Sequence, residues 1–306
     1  MLSRLLSPCA AISAVITARR VARPSWRAPV PVICCGSVTV GGAGKTTLAL
    51  DLGGRFAARG RAVHFLLRGY GGTVRGPHRV ATSDAAAQVG DEALLLAAVA
   101  PTWIGVDRAA SARAAVAAGA EVLVLDDGLQ NPGLHKDLSL LVVDGGSGFG
   151  NGKVLPAGPL REPVRLGMAR CQAAVLVGCD TTGAAKILQL PVLRATLKPG
   201  PEIAAWSGRR VFAFAGIARP EKFFAMLREG GVSVAGTMPF ADHHRFAEQD
   251  LLRVMNAAVR LGAAPVTTPK DAVRLPARYR SRVAVVGVSL SWDDPVALEA
   301  LLAQCA

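Results

Sequence analysis

The sequence predicts an α/β protein with a mostly parallel sheet covered by helices, a second and smaller α/β domain, and a membrane-associated helix at its N-terminus. Three observations predict it. Apolar runs rich in Val and Leu recur between helical stretches without polar alternation, the mark of strands buried on both faces. A glycine-rich loop ending in Gly-Lys-Thr lies where one such run meets a helix. A Pro/Gly-rich break, "TLKPGPEIAAWSG" (196–208), precedes a fresh strand and helix, which sets a domain boundary near residue 200.

The chain begins with an apolar run, "LLSPCAAISAVITA" (5–18), followed by Arg19, Arg20, Arg23 and Arg27. Fourteen residues are too few to span a bilayer, which takes about 20. No small-residue cleavage site follows, so a secretory signal is not expected. A helix lying on an anionic membrane surface fits residues 1–24; the alternative is a helix packed on its own protein. Charge points the same way: residues 1–80 hold eleven arginines and Lys45 against the single acid Asp51, most of the net +13 of the 306-residue chain. The six cysteines show no CxxC spacing and are expected to be reduced.

The elements follow in order. "VPVICCGSV" (30–38) reads as a buried strand, residues 45–60 as an amphipathic helix ending at Gly60, and "AVHFLL" (62–67) as the next strand. "DEALLLAAVA" and "ASARAAVAAGA" read as helices, and "EVLVLDD" (121–127) and "LSLLVVD" (138–144) as strands. Beyond the break, "RVFAFAGI" is a strand and "PEKFFAMLREGG" a helix. The resulting organisation is an N-terminal helix (1–24), a larger domain (25–200) and a smaller C-terminal domain (201–306).

The stretch "TVGGAGKTT" (39–47) decides the chemistry. A strand ends, Gly41, Gly42, Ala43 and Gly44 let backbone N–H groups turn inward, and a helix starts at Lys45-Thr46-Thr47. That is a nest plus a helix N-terminus, both favourable to phosphate oxygens, so the larger domain is read as P-loop NTPase-like. Lys45 would reach the outer phosphates of ATP and Thr46 would ligate Mg2+. Thr39 stands where the usual pattern has glycine, which weakens the match more than the mechanism. Asp126 and Asp127 close an apolar strand and are the candidate carboxylates for the metal; a pair of acids opening a turn is the plainer reading.

Taken together, "GSVTVGGAGKTTL", "RGYGG", "GDE", "DDGLQ", "GFGNGKVLPAGPLREP", "FAGIARPEKFF", "DHH" and "TPKDAVRL" occur in the order and spacing of the tetraacyldisaccharide 4'-kinases, which the chain resembles over nearly its whole length. The resemblance implies transfer of the ATP γ-phosphate to the 4'-hydroxyl of a tetraacylated glucosamine disaccharide 1-phosphate, forming lipid IVA at the cytoplasmic face of the inner membrane of a Gram-negative bacterium. It implies Asp91 as the base, paired with His243. Without it, Asp91 would be an ordinary helix N-cap and His243 a loop histidine. Arg68, Arg108 and Arg161 are candidates for phosphate, since guanidinium pairs bidentately with phosphate oxygens; for each the plainer reading is a surface arginine, most of all for Arg108. Glu162 is a candidate for helping to hold the metal. One departure stands out: the family's acidic motif usually continues with His, and here Asn131 follows Gln130. His135 is set aside as a substitute because Pro132-Gly133 precludes the helix that would align it.

Two rival classes are weighed. Membrane-associated positioning ATPases share the loop but begin it with a Lys that acts across a dimer, and that place is Val40 here. A nucleic-acid binder is disfavoured, because aromatics are 5% of the chain and no stacking platform or zinc pattern occurs. No feature calls for an obligate protein partner.

Overall fold

The computed structural model describes residues 2–305. Two compact units emerge: residues 1–84, 88–196 and 290–306 form the first, and residues 85–87 with 197–289 the second. In chain order come α1 (Leu2–Leu5), α2 (Ser7–Val21), β1 (Val32–Gly36), α3 (Lys45–Ala58), β2 (Val63–Leu67), β3 (His78–Arg79), α4 (Ala86–Val89), α5 (Asp91–Ala97), β4 (Thr102–Ile104), α6 (Arg108–Ala117) and β5 (Val122–Asp126). Then follow β6 (Leu138–Asp144), α7 (Val164–Met168), β7 (Ala173–Val177), α8 (Ala184–Ile187) and β8 (Val192–Pro199). The rest is β9 (Arg210–Ala215), α9 (Pro220–Glu229), β10 (Ser233–Pro239), α10 (Glu248–Arg260), β11 (Ala264–Thr267), α11 (Pro269–Ala272), α12 (Ala277–Arg280), β12 (Ala284–Val285), β13 (Val288–Trp292) and α13 (Pro295–Leu302).

The large sheet has the order β13-β8-β7-β6-β1-β5-β2-β4-β3. Neighbours from β8 through β4 pair in parallel; the two-residue β3 adds to β4 antiparallel, and at the other edge β13 runs antiparallel to β8, with Gly200 N–H on the Gly287 carbonyl and Asp293 N–H on the Arg194 carbonyl. The central strands β1, β2, β5 and β7 are buried at every position, which explains their unbroken apolar character. One face packs Leu48, Leu52 and Phe56 of α3, Ala93 and Leu96 of α5, and Leu298 and Leu302 of α13. The other packs Ala112 and Ala115 of α6, Met168 of α7 and Ala10 of α2. The second unit carries a parallel four-stranded sheet, β10-β9-β11-β12, with separate apolar clusters on its two faces.

The C-terminal boundary differs from the sequence reading, which assigns all of 201–306 to the second domain. Residues 290–306 belong to the first unit. Leu298, Leu302 and Cys305 are buried in its core, Trp292 Nε1 donates to Asp51 at 3.1 Å, and Glu299 accepts from Arg55 at 2.5 Å. The chain thus leaves the first unit along β8 and re-enters it along β13. Residues 1–24, read as separate, also cluster with the first unit.

Two adjacent glycines in α3 test this packing. A Cβ on Gly53 would meet the buried Phe65 ring at 2.3 Å, whereas one on Gly54 meets nothing within 4 Å. Thermal melts should therefore show opposite signs. Gly53→Ala is expected to destabilise by about 1–3 kcal/mol through overpacking, and Gly54→Ala to stabilise by about 0.5–1 kcal/mol through helix propensity.

Candidate active site

The site forms where β1 and β5 end side by side. Their parallel register pairs Cys35 with Asp126, so the chain leaving β1 as the glycine loop faces the carboxylates leaving β5. Gly41 (φ 106°) and Gly44 (φ 93°) adopt the left-handed conformation that glycine tolerates. Gly41 and Gly42 have open space around them, and Ala43 is buried with its N–H donating to the Gly41 carbonyl. Lys45, Thr46 and Thr47 then form the first turn of α3.

Thr39 takes no left-handed backbone, so the absent glycine is not needed. Its N–H donates to Ser37 Oγ at 3.1 Å and its hydroxyl lies 2.8 Å from the same atom. A short antiparallel bridge joins it to Leu160, flanked by Val40 N–H on the Pro159 carbonyl and Arg161 N–H on the Val38 carbonyl. The "GPLREP" segment is therefore the brace of the loop, and it brings Arg161 and Glu162 to the site.

Charges converge around this brace. Thr46 Oγ1 donates to Asp126 Oδ2 at 2.7 Å, while the buried Asp126 Oδ1 has no partner among the described residues. Burial pushes the Asp126 carboxyl up to about 6; the Thr46 hydrogen bond pulls it down and Asp127 raises it. Asp127 sits at φ 59°, accepts from Arg161 at 2.8 Å, and lies 3.8 Å from the Lys45 ammonium. Lys45 also reaches the Gly41 carbonyl at 3.4 Å.

Glu162 is 1% exposed. Its Oε1 accepts from Gln130 Nε2 at 2.8 Å and from Arg170 at 2.6 Å, and its Oε2 is unpartnered among the described residues. Gln130 Nε2 also donates to the Ser37 carbonyl at 2.9 Å. Gln130 and Arg170 are thus site residues that the sequence reading left without a role. Gln130 stood inside the "DDGLQ" motif, while nothing in the sequence singled out Arg170.

Arg108, a phosphate candidate whose plainer reading is a surface arginine, is 4% exposed, which removes that plainer reading; it opens α6, its guanidinium donating to the Gly105 carbonyl. Burial, and then the nearby Arg68, lower it to about 10, while Asp127, Cys34 and Asp126 hold it up. The exposed Arg68 after β2 thus lies near the buried Arg108, which itself lies near the carboxylates of Asp126 and Asp127. Asp91 is buried as the first residue of α5, and the N-cap is Gly90, not Asp91. Glu92 lies close enough to Asp126 to raise its carboxyl further.

In the second unit, His243 occupies a turn after β10 at φ 56°. Its N–H donates to the Gly216 carbonyl and to Asp242 Oδ1, both at 3.1 Å. The turn is pinned by fully buried Asp271, which accepts from Gly216 N–H at 2.9 Å and pairs with Arg274 at 3.1 Å. Arg274 in turn donates to the Gly216 and His244 carbonyls. Asp271 of "TPKDAVRL" is therefore a scaffold for the histidine turn.

Comparison with known proteins bears on this geometry. A family model described as tetraacyldisaccharide-1-P 4'-kinase matches residues 2–306. A protein named tetraacyldisaccharide 4'-kinase from Gluconacetobacter diazotrophicus is 58% identical over 98% of this chain and 93% of its own. One from Rhodospirillum centenum is 55% identical over 99% of this chain and 91% of its own. The crystal structure of LpxK from Aquifex aeolicus in complex with ATP superposes with a TM-score of 0.78 at 25% identity, covering 100% of this chain and 99% of that one.

The raised Asp126 carboxyl has a measurable consequence in nucleotide-free, metal-free protein. Its folded value, about 6, exceeds the 3.8 of an ordinary aspartate, so the folded state is penalised as the pH rises from 4 to 6 and carries the full penalty above 6. Asp126→Asn should match wild type in melting temperature near pH 4 and exceed it above pH 6, by up to about 3 kcal/mol in stability. Equal melting temperatures at pH 7.5 would show the carboxylate to be unpenalised.

Proposed function

The chain belongs to the tetraacyldisaccharide-1-phosphate 4'-kinase family and is an ATP-dependent lipid A 4'-kinase; from that premise we propose which of its residues bind and which react. ATP seats its phosphates on the Gly41–Gly44 loop and the N-terminus of α3, with Lys45 on the transferring group. The observation that carries the assignment is the clasp between Thr46 and Asp126, set in a strand–loop–helix with Lys45 beside it.

Mg2+ is the metal that the site suits. The Thr46 hydroxyl and Asp126 would hold it, with Glu162 behind them, and the buried unpartnered oxygens of both carboxylates support that fit. Among the described residues no three His, Cys, Asp or Glu side chains converge, as befits a cation that leans on phosphate and water. Bound there, Mg2+ would neutralise charge on the phosphates. Arg161, tethered to Asp127, and the Arg68–Arg108 pair bind phosphate oxygens. Asp91 takes the proton of the acceptor hydroxyl, and His243 tunes it. The switch-ATPase reading finds no support, since a kinase family accounts for the whole chain.

The N-terminal helix docks the enzyme on the anionic cytoplasmic face of the inner membrane, where its acylated substrate resides. Two observations support this. Ala10 and Thr17 of α2 are buried against the first unit, while Leu5, Ile12, Val15 and Ile16 are at least half exposed, with Arg19, Arg20 and Arg23 following them. No helix among the described residues is long and apolar enough to cross a membrane. These observations support a helix with one face packed on the first unit and the other left for the membrane.

The assignment is tested by incubating purified protein with γ-labelled ATP, Mg2+ and detergent-dispersed tetraacyldisaccharide 1-phosphate. Label on the lipid is expected, reduced at least about a hundredfold in Lys45→Ala. In Asp91→Asn, kcat is expected to fall about 10²- to 10⁴-fold with KM for ATP little changed. An unlabelled lipid with wild-type protein would refute the assignment. The helix is tested separately: Ile12→Asn/Ile16→Asn should lower partition onto anionic vesicles while leaving the melting temperature unchanged, and undiminished partition would contradict membrane docking.

A further inference from the structure

The second unit divides its charge unevenly between the two faces of its sheet. Residues 251–289 hold seven basic residues against one acid, Asp271, and that acid is fully buried and paired with Arg274. The stretch therefore shows solvent no carboxylate. Its two larger helical pieces, α10 and α12, pack together on one face through Leu251, Val254, Leu275 and Tyr279. On the other face α9 packs through Phe223, Phe224 and Leu227, and its own charges, Glu221 and Glu229 against Lys222 and Arg228, balance. Like charges gathered on one face repel one another, a cost that an anionic partner would relieve.

The outward side of α10 adds an apolar stripe to this charge. Leu251, Val254, Ala257 and Ala258 are its buried residues. Opposite them stand Leu252 and Val259, 47% and 77% exposed and seven residues apart, so one lies two turns above the other. Arg253 and Arg260 repeat that spacing alongside, both exposed. The acids at the start of α10 are already engaged: Glu248 pairs with Arg278 and accepts from Tyr279 Oη at 2.8 Å, and Asp250 pairs with Arg253. Among the described residues Arg260 and Arg282 pair with no carboxylate, and the Arg282 guanidinium rests 5.9 Å from the centre of the Tyr279 ring. Aliphatic side chains flanked by guanidinium groups suit an anionic bilayer, where the former enter the acyl boundary and the latter meet phosphate. Single-stranded nucleic acid would call for exposed aromatic rings to stack its bases, and the rings of this face, Phe246 and Tyr279, are buried.

We propose that the α10–α12 face of the second unit is a docking surface for anionic phospholipid, separate from the N-terminal helix α2. Leu252 and Val259 insert at the headgroup boundary, while Arg260 and Arg282 supply the charge that lipid phosphates neutralise. The inference goes beyond the kinase assignment, which asks no membrane contact of the second unit. Its consequence is that the chain stays on an anionic bilayer when the contact through α2 is weakened.

The test floats the full chain with phosphatidylcholine vesicles that contain or lack phosphatidylglycerol. Neither ATP nor acceptor is added, so the outcome is independent of whether the kinase assignment holds. Arg260→Gln/Arg282→Gln should lower partition onto the phosphatidylglycerol vesicles about ten- to thirtyfold, since each cation at an anionic surface contributes about fivefold. Its melting temperature should match wild type. Leu252→Asn/Val259→Asn should also lower partition while keeping the dependence on phosphatidylglycerol, because the charge is intact; it carries the test alone should the arginine pair fail to fold. Both losses should recur in Ile12→Asn/Ile16→Asn protein, where the contribution of α2 is already reduced. Partition equal to the parent protein in folded variants would overturn the proposal. Weakened binding of a labelled single-stranded oligonucleotide by Arg260→Gln/Arg282→Gln, with vesicle partition intact, would assign the face to nucleic acid and overturn it as well.

Discussion

The hydrogen bond from Thr46 to the buried carboxylate of Asp126 is the contact on which the rest of the site depends. It joins the first turn of α3 to the end of β5 across 2.7 Å, and it exists because the parallel register sets Cys35 opposite Asp126. Placing a carboxylate in an apolar sheet end is unfavourable, and the raised Asp126 carboxyl expresses that cost. The surroundings offset it only in part, with one hydroxyl and the distributed charge of Lys45 and Arg108. What remains is an acid poised for a cation, which is what phosphoryl transfer needs at that place.

Around this clasp the loop is built by partners distant in sequence. Residues 159–161 bridge it on one side, and Gln130 links Ser37 to Glu162 on the other. From Glu162 the chain continues to Arg170. One polar network therefore braces the nucleotide loop from below, and the low dielectric of its surroundings strengthens each link. The glycines at 41 and 44 matter for backbone conformation, whereas Gly36 matters for space: a Cβ there would sit 2.4 Å from Leu129 Cβ, inside the turn that delivers Gln130.

The strand–loop–helix of residues 32–58 was legible in the sequence because its signals are local: an unbroken apolar run, glycines, and Gly-Lys-Thr at a helix start. Asp126 and Asp127 were legible for the same reason, standing at the end of a buried run. The burial of Arg108, a candidate already, was not, since an arginine at a helix start looks like any solvated cation until the strands beneath it are placed. The return of residues 290–306 escaped notice because no break in composition accompanies β13; only burial of Leu298 and Leu302 against α3 and its neighbours reveals it. The resemblance drew attention to Asn131, but the hydrogen bond that Lys136 donates to its carbonyl lies in a non-helical loop with no periodicity to read.

The central claim is that Thr46 and Asp126 act as one unit in holding the cation and nucleotide. A double-mutant cycle on kcat/KM for ATP, with Thr46→Ala, Asp126→Asn and the pair, tests it most directly. If the clasp is a unit, the double variant should be scarcely worse than the more damaging single one. Losses that multiply across the two substitutions would contradict the account.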